Sequence, residues 1–115
     1  APELFTRRLT DKEREAVALK AIKSLYGKPD GEHGPTLFAS HHLSEVEPAY
    51  WLRIVDTEQP NPDQVLSTLV SVGSWTSMCD ETIDTFHFGL PGNVSNYFLS
   101  VRFQDGQVQY VAIES

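Results

Sequence analysis

The chain has 115 residues, 40% hydrophobic and 22% charged, with a formal net charge of −7. That length supports one domain burying roughly two thirds of its unfolded surface, and the composition excludes a disordered chain. The single cysteine, Cys79, excludes an internal disulfide and a cysteine-rich zinc site, which fits a reducing, cytoplasmic setting.

The first predicted element is a helix. Thr10 and Glu13 form a capping box, and Ala18, Leu19, Ile22, Leu25 and Tyr26 make an apolar stripe at helical spacing. Gly27 is placed to end it, and Pro29 bars its continuation. Residues 27–36 hold three glycines and two prolines and read as a loop. Leu37 to Ser40 reads as a short extended segment, which sends the adjacent His41 and His42 to opposite faces and keeps them from chelating one ion. Ser44 and Glu47 suggest a cap, with Pro48 opening a short helix through Tyr50, Trp51 and Ile54. Asn61 caps another helix that begins at Pro62, and the pattern changes to strand near Leu69.

The remainder reads as β. Strands are expected near 69–77, 82–89, 96–104 and 107–114, with Phe86 and Phe88 on one face of the second. Asp105-Gly106 is a strong hairpin signal, and a two-residue loop sets Gln104 opposite Gln107, Phe103 opposite Val108, Val101 opposite Tyr110 and Leu99 opposite Ala112. One hairpin face then carries Leu99, Val101, Phe103, Val108, Tyr110 and Ala112; Val111 and Ile113 fall on the other. Helices first and strands afterwards define an α+β domain, with N-terminal helices packed on a four-stranded antiparallel meander sheet.

The charge is unevenly placed. Residues 1–55 carry eight basic and eight acidic side chains; residues 56–115 carry eight acidic ones against Arg102 alone, so the whole surplus lies in the second half. Phosphate contacts need Lys and Arg, so direct nucleic-acid binding is not expected. Nor is membrane binding: no apolar run reaches the length of a span, and no basic-then-apolar leader opens the chain. An acidic face does attract a basic partner.

Catalytic chemistry has little support in the residues. Cys79 sits beside Asp80 and Glu81, which disfavour a thiolate, and no Gly-x-Ser-x-Gly elbow or phosphate-binding glycine loop offers a site for His87 to serve. Ser95 stands out only as the end of Asn93-Val94-Ser95, a glycosylation pattern of little weight without a secretion signal. No catalytic residue, metal ligand or cofactor is assigned on these grounds.

Three stretches taken together are familiar: LFASHHLSEVEPAYW (37–51), FHFGLPGNVSNYFLSVRF (86–103) and DGQVQYVAIES (105–115). They resemble a family of small uncharacterised bacterial domains with a His-Leu pair ahead of Tyr-Trp, a Leu-Pro turn leading to a Tyr, and a C-terminal hairpin ending in Glu-Ser. Domains of this kind are often encoded beside secreted toxins, and some are immunity proteins of polymorphic-toxin or contact-dependent inhibition systems. The resemblance implies a cytoplasmic protein that binds and neutralises a basic toxin domain, such as a nuclease. In that case Asp80, Glu81 and Asp84 pair with basic groups of the toxin and Trp75 anchors the contact. Asp56, Glu58 and Asp63 would extend the acidic face. The alternative is an interaction or scaffold module without catalytic activity, self-associating as a homodimer through the sheet face that the helices leave uncovered.

Overall fold

A proline takes a first-turn position in each of three successive helices, where its fixed φ suits the helix and its missing N–H goes unneeded. The computed structural model describes residues 11–75, 84–92, 94–104 and 107–115, without the side chains of Asp11, Ser74 and Trp75. Helix α1 is Asp11–Leu25. Ala18 and Ile22 are fully buried on it, and Gly27 just past its end adopts the left-handed φ of +78°. The expected capping box rests on Thr10, which lies outside the described residues. Tyr26, expected in the apolar stripe, stands 38% exposed beyond the last turn.

After a 3-10 turn at Pro29–Gly31 come α2 (Pro35–Glu45), α3 (Pro48–Val55) and α4 (Pro62–Ser67). Helix α2 corrects the extended reading of Leu37 to Ser40. Pro35 starts it, and Phe38, Ala39 and His42 form its buried face at helical spacing. Ser44 therefore lies inside a helix, and Glu47 is the residue that precedes Pro48 at the start of α3. Helix α4 opens as expected: Asn61 accepts from the Gln64 N–H and the Gln64 side chain accepts from the Asn61 N–H, each at 2.8 Å.

The strands are β1 (Val70–Trp75), β2 (Thr85–Gly89), β3 (Phe98–Gln104) and β4 (Gln107–Glu114), in one antiparallel sheet of order β1-β2-β3-β4. Fold class and strand order are those the sequence predicts. Phe86, Phe88, Leu99, Val101, Phe103 and Val111 pack with Ala18, Ile22, Phe38, Trp51, Val65 and Leu66 in one core. Fully burying each large apolar side chain contributes roughly 1.5–3 kcal/mol.

The hairpin departs from expectation by one residue. Gln104 pairs with Gln107 and Phe103 with Val108, as predicted, but Arg102 then pairs with Tyr110 and Val101 with Val111. Gln109 is the extra residue of this β-bulge, and one inserted residue moves every later side chain to the opposite face. Val111 and Ile113 consequently join the core side, while Tyr110 is 44% exposed. A second irregularity lies between Ser71 and Gly73 in β1, and Val70 and Val72 are 43% and 53% exposed.

Edge strand β4 is closed by the start of α2. The Ile113 N–H donates to the His33 carbonyl at 3.0 Å, and a Cβ added at Gly34 would lie 2.6 Å from the Val111 carbonyl oxygen. Only glycine allows that approach. Gly34→Ala should therefore lower stability by about 1–3 kcal/mol in urea unfolding, whereas Gly73→Ala, with open space around its Cβ, should change it by less than about 0.5 kcal/mol.

Candidate functional site

Two non-helical residues, Val46 and Glu47, separate α2 from α3, both extended at ψ 137° and 144°. Glu47 must be so because it precedes a proline. The corner they make is walled on its third side by the loop that joins β2 to β3. Between them lies an open groove of about 580 Å³, bordered by His41, His42, Glu45, Tyr50, Arg53, Ser95, Asn96 and Tyr97 among others.

His42 holds the groove together. It is fully buried, and its Nδ1 lies 2.7 Å from the Phe38 carbonyl oxygen one turn earlier. A carbonyl only accepts, so Nδ1 carries the proton and donates. Burial, the largest influence, lowers the pKa of the ring; the Phe38 hydrogen bond opposes it and the neighbouring His41 adds to it. The ring is thus neutral at pH 7, and Nε2 is an acceptor. Ser95 Oγ lies 2.8 Å from Nε2 and donates to it. The same Ser95 oxygen accepts from the Tyr97 N–H at 2.9 Å, which fixes its position in the loop.

Tyr50 makes the second tie. Its hydroxyl donates to the Pro91 carbonyl at 2.7 Å, linking α3 to the turn after β2, and the Arg53 guanidinium lies 5.6 Å from the centre of its ring. Burial raises the Tyr50 pKa, partly offset by Arg53, so the hydroxyl keeps its proton. The His41 and Tyr97 rings meet edge-on at 4.6 Å and form the opposite wall.

The residues expected to bind a partner occupy two separate parts of the fold. Asp56 caps α3 in the left-handed conformation at φ 61°, and Glu58 and Asp63 follow it; all three are exposed. Asp84 is half-buried at the start of β2: its carboxylate accepts from the Thr85 hydroxyl at 3.0 Å and its carbonyl from the Phe103 N–H at 2.7 Å. The Trp75 position pairs with Thr85 at the end of β1, and Val70 and Val72 earlier on the same strand are exposed. Asp80, Glu81 and Cys79 lie outside the described residues, as does the Trp75 side chain.

His87, weighed as a partner for a serine, stacks on Phe98 at 4.1 Å on the sheet face away from Phe86 and Phe88, and burial lowers its pKa. The serine–histidine contact that does form uses His42 and Ser95 instead. An extended reading of 37–40 hides His42; at i+4 from Phe38 on a helix it takes a core position. Among the described residues no three or more His, Cys, Asp or Glu side chains converge as metal ligands, and no helix is long and apolar enough to cross a membrane.

The fold defines an α+β domain with an open groove at one end of its helical layer. Comparison with protein-family models, curated proteins and solved structures finds no match to this chain.

The neutral, buried His42 has a consequence for stability. The unfolded chain takes up the proton near pH 6.5 while the folded ring resists it, so stability is intact above about pH 6.5 and falls below it. Urea unfolding between pH 7.5 and 5.5 should show this loss, at most about 1.4 kcal/mol per pH unit for one proton. His42→Asn should flatten the dependence, leaving the part contributed by His87, whose pKa burial also lowers.

Proposed function

We propose that this chain is a cytoplasmic immunity or inhibitor protein that captures a basic toxin domain on an acidic surface. The observation that carries the reading is the charge distribution: the entire net charge of −7 falls in residues 56–115. Such a field speeds encounter with a cationic partner and disfavours acidic ones.

The exposed carboxylates of Asp56, Glu58 and Asp63 support a contact on the connection between α3 and α4. Leu52 adds an apolar anchor. It is 47% exposed, and its carbonyl accepts from the Asp56 N–H, so it lies one turn from the first acidic group. An apolar centre with a charged rim is the usual anatomy of a protein interface.

The test is binding to the domain encoded immediately upstream of this chain, with toxin protection as the biological readout. Replacing Asp56, Glu58 and Asp63 by Asn, Gln and Asn together should slow association on the order of tenfold at low salt and weaken its salt dependence. Leu52→Ala should weaken affinity by about 1–2 kcal/mol. Unchanged affinity in both variants would rule out this surface.

A second reading, a self-associating scaffold, is favoured by edge strand β1, which carries exposed Val70 and Val72 and no charged residue. A concentration-independent dimer in light scattering, lost on Val72→Lys, would favour this scaffold over the inhibitor.

A further inference from the structure

The groove also contains an arrangement that capture of a basic partner does not require. Ser95 Oγ, His42 Nε2, His42 Nδ1 and the Phe38 carbonyl form one hydrogen-bonded line with contacts of 2.8 and 2.7 Å. We propose that Ser95 and His42 are a nucleophile–base pair that hydrolyses small esters bound in the groove between α2, α3 and the loop that contains Ser95.

Three features distinguish this pair from a simple tether between helix and loop. The tautomer is fixed by Phe38, so the free lone pair of the ring faces the hydroxyl proton; this is the requirement for a general base. Desolvation keeps the ring neutral near pH 7, the state in which it can accept. Ser95 itself is half-buried and borders the groove, beside the space where a ligand would lie. The backbone carbonyl takes the orienting position that a carboxylate fills in serine hydrolases, holding the ring without adding a charge.

The groove sets the class of substrate. A volume of about 580 Å³ accepts a small organic molecule, and the Tyr97 and His41 rings with Val46, Ala49 and Val94 provide apolar contact for an alkyl or aryl group. Asn96 lines the same wall and brings a carboxamide donor for the negative charge that develops on the acyl oxygen. In the first step a bond forms between Ser95 Oγ and the acyl carbon, and the hydroxyl proton passes to His42 Nε2. The ester C–O bond then breaks, and the proton goes from Nε2 to the departing alcohol. Water, deprotonated by the same Nε2, attacks the acyl-serine; the carboxylic acid leaves and Ser95 regains its proton.

The test needs no partner protein, so its outcome is independent of the binding reading. The purified chain is incubated with an alkyl fluorophosphonate, which phosphonylates activated serines, and the modified residue is mapped by mass spectrometry. Turnover of p-nitrophenyl acetate is followed in parallel. Labelling of Ser95 is expected in the unmodified protein, with ester hydrolysis falling about 10²–10⁴-fold in Ser95→Ala and His42→Asn, each checked for folding by circular dichroism. The labelling of the unmodified protein decides the matter even where a variant fails to fold. No adduct, an adduct on another residue, or hydrolysis that persists in folded Ser95→Ala would overturn the proposal.

Discussion

One buried imidazole sets the relation between the helical layer and the sheet at the groove end of the molecule. His42 is surrounded by protein and still has to satisfy two ring nitrogens, because a buried polar group left unpaired costs about 1–3 kcal/mol. The Phe38 carbonyl takes one and Ser95 the other. The first contact lies within α2; the second reaches 53 residues along the chain to the β2–β3 loop. The Tyr50 hydroxyl on Pro91 is a second bond between the same two layers, from α3. These bonds tie the β2–β3 loop to the helical corner that borders the groove.

The other end of α2 is fixed by shape. The His33 carbonyl accepts from the Ile113 N–H at the edge of β4, and Gly34 leaves room for the two backbones to meet. Edge pairing of this kind covers part of an otherwise open strand. Helix α2 thus spans from β4 at its start to the β2–β3 loop near its end, and it contributes Phe38 and Ala39 to the core between. Sequence, packing and groove meet on this one helix.

Much of the fold was legible from residues alone, and the failures have physical causes. Asn61, Pro62 and Gln64 announce a helix start whatever surrounds them, because the capping bonds are local. Phe86 and Phe88 likewise alternate with Thr85 and His87 strongly enough to fix the faces of β2. Helix α2 was obscured because the fourth member of its apolar pattern is a histidine, and because exposed Leu37 beside buried Phe38 imitates a short apolar run. The β-bulge at Gln109 was illegible for a different reason. Alternation in Gln107 to Tyr110 continues smoothly, and only the unbroken Val111-Ala112-Ile113 hints that the parity has changed. The serine–histidine contact depends on both ends of the fold and has no local signature.

The arrangement of His42 can be read directly by nitrogen-15 NMR of the histidine-labelled protein near pH 7. A proton on Nδ1, with Nε2 proton-free and coupled through a hydrogen bond to the Ser95 hydroxyl, is the expected result. A proton on Nε2 with Nδ1 bare would break the contact to Phe38, and with it the orientation from which both the groove and its chemistry follow.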